Sequence, residues 1–371
     1  MILVIDSIRN AEEHLELNSA ILENLIRNEV KVDFLTSSEY WRSFPISLRE
    51  RMDFISISRL SSGLMGLIKT ILLLFKIVIF KRKYSSILFL SSITYNSFFI
   101  AILSNLSLIK PRMHVILHEV SYLDSRRKKE KLAGIFLKLA LFIGLKKGSK
   151  FIIIGTYIEQ ALEKKVKYNK NSTLFIEHPI SFGEYYENNN SFEMIKLAST
   201  GVHCAEKNSK LIEDIAKYNL KLIINGDILV STIGRLDYDY DLKIPINHIG
   251  LNYKSYLMPV EDYNRHILEQ HYLLFFIGKE YDLKTSGTII DAIKYKKPII
   301  ALRCNIIDSY FEKYGNIGYV FPCIKDMKLG VANICQNFNF ELYQMQVNNL
   351  ANANSQISGD RFKRELQSLI F

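Results

Sequence analysis

The chain has 371 residues, 48% of them hydrophobic and 23% charged, and 48 Lys and Arg against 38 Asp and Glu give a formal net charge of +10. That length exceeds the about 250–300 residues at which a single hydrophobic core stops growing, so two domains are expected. Only seven prolines and no low-complexity tract exclude a disordered chain, and no repeat of about 20–50 residues marks a solenoid.

The chain opens on an apolar run, MILVID, with a strand expected at residues 2–5. It lacks the basic start and cleavage pattern of a signal peptide, so a cytoplasmic protein is expected. A helix is expected over 14–28, and strands at 30–35, 54–57, 87–90, 114–117, 151–154 and 174–176. Strands alternating with helices imply a parallel, doubly wound sheet. The turn after the first strand, DSIRNA at 6–11, has no G-x-G-x-x-G spacing, so no nucleotide is expected in this half. Asp6, Arg9 and His14 on or just after this turn are candidate acceptor contacts; the alternative is surface polar residues. His118 and Glu119 directly follow a strand. Histidine exchanges protons near neutral pH and an adjacent carboxylate can tune it, which makes the pair an acid–base candidate; the alternative is a structural histidine.

Two stretches of this half are both basic and apolar. Residues 59–83 carry Arg59, Lys69, Lys76, Lys81, Arg82 and Lys83 with no acid, around the apolar helix expected at 64–80. Residues 110–150 hold eleven Lys and Arg against Glu119, Asp124 and Glu130, around a second apolar helix expected at 132–145. Lys69, Lys76 and Lys83 repeat every seven residues and so share one helix face. Apolar helices with a basic face lie in a membrane interface rather than across it, and RRKKEK at 126–131 would be drawn to anionic lipid. The alternative is core helices with solvated lysines. Nucleic acid is disfavoured, because the charge tracks leucines rather than interleaved aromatics.

His178-Pro179 closes the last strand of this half and starts a linker, giving a first domain over 1–180. Beyond it come a strand from 195, then Gly201, Lys207-Asn208 and an amphipathic helix. Strands are expected at 220–225 and near 248–251, and a helix over about 260–270. His203 is either a phosphate contact or an exposed loop residue. Residues 272–301 then read as an apolar strand, a loop, Ser286-Gly287-Thr288 opening a helix, Lys297-Pro298 and a second apolar strand. A Ser or Thr ahead of a helix caps its N–H groups, Gly287 lets a ligand approach the backbone, and such a helix start attracts phosphate. Asp291 lies one turn further on, where a carboxylate can accept from a ribose diol. Lys279, Glu280 and Lys284 flank this helix, with Lys284 the best extra phosphate contact. Cys204, Cys304, Cys323 and Cys335 form no CxxC pair and no zinc spacing, and are expected to be buried and reduced. Residues 352–371 read as a final helix.

Residues 195–325 resemble the nucleotide-binding half of a GT-B glycosyltransferase of the kind that assembles bacterial capsule, O-antigen or exopolysaccharide. Gly201 and Lys207 keep the six-residue interval of the family's first motif, and Asp291 stands where a Glu binds ribose, ahead of Lys297-Pro298. Two positions depart from the pattern: Val202 stands where Arg is usual, and Leu283 where a Glu addresses the donor sugar. The resemblance implies two Rossmann-like domains facing across a cleft, the second over 181–351, with a tail helix crossing back to the first. It implies donor binding by Gly201, Lys207, Ser286, Gly287, Thr288 and Asp291, with Lys284 flanking them, and stabilisation of the leaving diphosphate by Lys207 without metal or other cofactor, while the strand-end position of His118 and Glu119 adds them as the acid–base candidates for catalysis. The implied partners are a nucleotide diphosphate sugar and a glycan or undecaprenyl-linked acceptor, to which the basic apolar helices add the anionic inner face of the plasma membrane. A nucleotide-sugar 2-epimerase of the same fold and an inactive subunit docking a partner stay open.

Overall fold

The computed structural model describes residues 1–6, 14–27, 30–58, 68–69, 72, 84–92, 94–106, 111–118, 120–125, 127–180, 191–237, 244–250 and 258–358. The chain divides into two compact units. The first takes Met1–Phe182 with Leu283–Thr285 and the chain from Ile357 onward; the second takes Gly183–Asp282 and Ser286–Gln356.

The strands described in the first unit are β1 Ile2–Asp6, β2 Val32–Thr36, β3 Asp53–Ser56, β4 Ser86–Phe89, β5 Arg112–Leu117, β6 Lys150–Ile154 and β7 Thr173–Ile176. All pair in parallel in the order β3-β2-β1-β4-β5-β6-β7. Every strand expected in this half is present, its ends moved by a residue or two. The runs are apolar on both faces because both faces are covered: in β5, Met113, Val115 and Leu117 join one core and Ile116 joins the other. Among the described residues the helices with both ends defined are α1 Leu15–Arg27, α2 Ser38–Ser43, α3 Ile46–Arg49, α4 Thr94–Asn105, α5 Lys128–Ile143 and α6 Ile158–Glu163. Leu17, Ile21, Leu22 and Leu25, at helical spacing, press α1 onto one face of the sheet.

The second unit has β8 Ile195–Thr200, β9 Ile228–Ile233, β10 Asn247–Ile249, β11 Tyr272–Phe275, β12 Ile299–Leu302 and β13 Gly318–Phe321, parallel in the order β10-β9-β8-β11-β12-β13. Its helices are α7 Leu211–Tyr218, α8 Leu220–Ile224, α9 Val260–Leu268, α10 Gly287–Lys294, α11 Asn305–Tyr314, α12 Ile324–Gln336 and α13 Phe340–Ser358. The strand expected at 220–225 is instead the helix α8, and the strand is Ile228–Ile233. A short apolar run has no period that separates helix from strand. Here Ile224 is 73% exposed, whereas Ile228 and Val230 are buried in the core. The final helix already starts at Phe340, and the part of the expected tail beyond Ser358 lies outside the described residues.

In each sheet the strand order runs outward in both directions from the centre, reversing between β1 and β4 and between β8 and β11. In open parallel sheets, ligands bind outside the carboxyl ends of the strands at such a reversal.

Candidate active site

In the second unit three neighbouring strands end in glycine. β8 passes into Gly201 (φ 85°), β9 into Gly234 (φ 118°) and β10 into Gly250 (φ 98°), all in the left-handed region. Crowding adds to the backbone requirement. A Cβ on Gly234 would lie 2.4 Å from the Gly201 carbonyl oxygen, and one on Gly201 would lie 2.8 Å from Thr288 Cγ2 and 3.3 Å from Lys207 Nζ. The Lys207 ammonium, from a turn after β8, and Thr288, in the first turn of α10, are thereby brought together over Gly201. Lys207 ends a tight turn, Ala205–Lys207, followed by Asn208 in the left-handed conformation. The Asn208 amide donates to the Phe276 carbonyl at 3.1 Å and pins this loop beside the end of β11. Burial lowers the Lys207 pKa from the ordinary lysine value, while nearby negative groups, Asp291 among them, pull it back up.

The start of α10 departs from expectation in one respect. Ser286 occupies the capping position but makes no hydrogen bond to the helix N–H groups; its hydroxyl lies 3.0 Å from Thr288 Oγ1. Ser286 is buried, and the neighbouring Thr288 hydroxyl competes for it. Gly287 is exposed, and a Cβ there would meet no atom within 4 Å. The first N–H groups of α10 therefore carry no Ser286 cap and start beside open space, the electrostatics that favour an anion.

Asp291 is half-buried one turn along α10, and its Oδ2 accepts from the Tyr263 hydroxyl at 2.8 Å. Burial, then the Asp291 charge, raise the Tyr263 pKa well above its ordinary value, so the phenol stays a neutral donor. Tyr263 belongs to no motif, and the only sequence hint was the helix expected over 260–270.

His203 is neither an exposed loop residue nor turned to a phosphate. It is fully buried, with Nε2 3.3 Å from the Ile233 carbonyl, and burial holds its pKa at about 4. Lys279 and Glu280 are exposed on the turn Lys279–Tyr281. Lys284 groups with the first unit, as does Leu283, which is buried in that unit's core. The four cysteines are free, but only Cys304 is buried and Cys323 is exposed, at the cap position of α12.

In the first unit Asp6 is not a surface residue. Its Oδ2 accepts from Asn18 Nδ2 and from Ser91 Oγ, each at 2.9 Å, so the carboxylate bridges the end of β1 to the loop after β4. A carboxylate at the centre of a sheet must be paired in this way, because burial without partners is costly. His14 is exposed with φ 55°, and its ring centroid lies 4.5 Å from that of His118. His118 is half-buried with Nε2 2.6 Å from the Leu90 carbonyl. A carbonyl only accepts, so Nε2 carries a proton and Nδ1 is the nitrogen able to take one. Arg9 and Glu119 lie outside the described residues.

A second surface lies on α5. One stripe of it, Ala133, Leu137, Ala140 and Leu141, is buried, while another, Leu132, Ile135, Leu139, Phe142 and Ile143, is exposed, Phe142 to 64%. Ile102 and Leu106, at the end of α4, are also exposed. Lys131, Lys138 and Lys147 add exposed charge along the same helix and just after it. Of the helix expected at 64–80, Ile68, Lys69 and Leu72 are described, helical and exposed; the rest, and Arg126, lie outside the described residues. Among the described residues no helix is long and apolar enough to cross a membrane.

No protein-family model matches the sequence, and no curated protein does. Solved structures do. A glycosyltransferase from Rickettsia africae ESF-5 superposes with a TM-score of 0.65 at 12% identity, covering 100% of this chain and 95% of that one. WaaG, a glycosyltransferase involved in lipopolysaccharide biosynthesis, gives 0.65 at 11% identity, with 100% and 99% covered. TarM gives 0.66 at 8% identity, with 99% and 98% covered.

The fold is GT-B.

The two parallel sheets are thus the two Rossmann-like domains of a GT-B chain, and the glycine-ended strands belong to its C-terminal domain.

Proposed function

We propose that this GT-B chain is a glycosyltransferase that moves a sugar from a nucleotide diphosphate donor to a growing bacterial surface glycan or lipid-linked oligosaccharide at the inner face of the plasma membrane. The observation that carries this reading is the convergence of Lys207, Thr288 and the open start of α10 at the strand reversal of the second sheet. The fold neighbours supply context: WaaG is involved in lipopolysaccharide biosynthesis, and a TarM mutant from S. aureus was crystallised with UDP.

In this reading the donor diphosphate lies against Gly287 and Thr288 with the Lys207 ammonium on its oxygens, and the ribose diol donates to Asp291. Transfer makes a bond from the acceptor oxygen to the anomeric carbon and breaks the bond from that carbon to the diphosphate. Charge builds on the diphosphate as it leaves, and a cation held by the fold over that position lowers the barrier because it needs no reorganisation. His118 takes the acceptor's proton at Nδ1, its Nε2 proton being held on the Leu90 carbonyl. Asp6, tied to Asn18 and Ser91, holds the start of α1 beside His14 and the loop after β4 whose Leu90 carbonyl meets His118, and Arg9, Glu119 and Lys284 remain acceptor- or donor-side contacts. The exposed apolar stripe of α5 with its lysines rests on anionic lipid, which places a lipid-linked acceptor at hand.

The test is a thermal-shift screen of UDP-, GDP-, dTDP- and CMP-sugars, since a ligand stabilises by an amount that grows with its concentration over its dissociation constant. One nucleotide family is expected to raise the melting temperature, and its sugar to be transferred to a lipid-linked glycan. Failure to bind any of them identifies a non-catalytic subunit; release of free sugar without an acceptor identifies an epimerase.

A further inference from the structure

Helix α9 is laced along α10 by polar contacts at successive levels. At the top, the Tyr263 hydroxyl donates to Asp291 Oδ2 at 2.8 Å. Next, the Tyr295 hydroxyl donates to Asn264 Oδ1. At the base, the fully buried Lys297 donates from Nζ to the Leu268 carbonyl at 2.6 Å, where α9 ends. Three bonds at three heights fix both the rotation and the height of α9 against α10, and so fix where the Tyr263 ring stands. Tyr263 itself is half-buried in the first turn of α9.

We infer that Tyr263 is a positioning residue for recognition of the nucleotide's ribose, an inference that rests on the donor-site reading above. A carboxylate on an open helix turn samples several rotamers, and each must be given up when it accepts a diol. A phenol bonded to one oxygen holds the group in a single orientation before the ligand arrives, and preorganisation of this kind raises affinity without adding a contact to the ligand. The two carboxylate oxygens together accept about four hydrogen bonds, so one phenol does not exhaust them. Phenylalanine at 263 would keep the ring packing and remove only this restraint. The effect therefore belongs to ligands that present a diol, and not to the phosphates.

The experiment measures binding of UDP and GDP, and of their 2′,3′-dideoxy counterparts, to the full chain and to its Tyr263→Phe, Asp291→Ala and doubly substituted forms. Wild type is expected to prefer the ribose form. Tyr263→Phe should weaken the ribose form about tenfold, the scale of one hydrogen bond to a charged group, and leave the dideoxy form within twofold. In the double variant Tyr263→Phe should add nothing to the loss from Asp291→Ala, because it acts through that carboxylate. Equal losses for ribose and dideoxy forms would make Tyr263 a packing residue and overturn the inference, as would an unchanged ribose affinity. If wild type binds ribose and dideoxy forms equally, Asp291 does not read the ribose and the inference falls while the phosphate site stands. If wild type binds none of the four but binds dTDP, which has no ribose diol, the inference falls while the phosphate site stands; if it binds no nucleotide at all, the donor-site reading falls with it.

Discussion

Alanine at Gly201 and alanine at Gly287 should have opposite effects on stability and the same effect on nucleotide binding. Gly201 has φ 85°, and its new Cβ would lie 2.8 Å from Thr288 Cγ2, closer than Cβ atoms are found to approach, and 3.3 Å from Lys207 Nζ. Left-handed backbone costs a non-glycine residue about 1–2 kcal/mol. Thr288 cannot move without disturbing its 3.0 Å contact with the buried Ser286. Set against this, alanine stabilises by about 0.4–1 kcal/mol through the unfolded chain. The net loss is about 1–3 kcal/mol, and for a unit of this size about 2–4 °C per kcal/mol lowers the melting of the second unit by several degrees. At Gly287 the backbone is not left-handed and a Cβ would meet nothing within 4 Å, so only the favourable contribution survives. That variant should melt at or slightly above wild type. Yet its methyl group enters the space where the phosphate is read to lie, so both variants should lose the melting shift that a nucleotide diphosphate produces. Differential scanning fluorimetry with and without UDP and GDP gives all four numbers. A Gly201→Ala protein as stable as wild type would refute the crowding argument, and a Gly287→Ala protein that keeps its full ligand shift would move the phosphate elsewhere.

His118→Ala should leave nucleotide affinity unchanged and depress transfer about 100-fold, the usual scale of acid–base catalysis; a normal turnover number would return His118 to a structural role on the Leu90 carbonyl. Replacing Lys131, Lys138 and Lys147 with Gln should sharply reduce cosedimentation with phosphatidylglycerol vesicles at low salt, each charge contributing about 1 kcal/mol that screening removes. Wild type that stays in the supernatant would leave the exposed stripe of α5 without a lipid partner. Acid should destabilise the second unit: His203 and His271 are buried, and their pKa values fall from 6.5 to about 4 through burial first and then through Lys207 and Lys297 respectively. Both are neutral when folded, so stability is complete above pH 6.5 and falls as pH drops towards 4, by about 3 kcal/mol per histidine at most. Melting temperatures from pH 7.5 to 4.5 check this, and a flat profile would contradict it.

The strands of the first sheet were legible because a parallel sheet covered on both faces demands unbroken apolar runs, and such runs stand out whatever their order. LKLII at 220–224 misled for the same reason: it is an apolar run too short to show a helical period, and in the helix it forms Leu220 and Ile224 are exposed. The spacing of Gly201 and Lys207 was legible because a turn and a cation are local requirements. Tyr263 was not, since its bond to Asp291 joins two helices 28 positions apart whose rotation is set by tertiary contacts. Asp6 was misjudged because strand order is invisible in a sequence: only when β4 is seen beside β1 does the end of β1 become a buried reversal point that needs Ser91 and Asn18. That correction sharpens the contrast between the two domains. Both sheets reverse order beside their central strand, the place where a ligand is expected. In the first, the central strand ends in a carboxylate bonded across the reversal. In the second, it runs into a glycine with a lysine and a helix start beside it. The residue at the end of the central strand thus decides whether the protein's own side chains bond across the reversal, and in the proposed reading the second reversal is the one left to a phosphate.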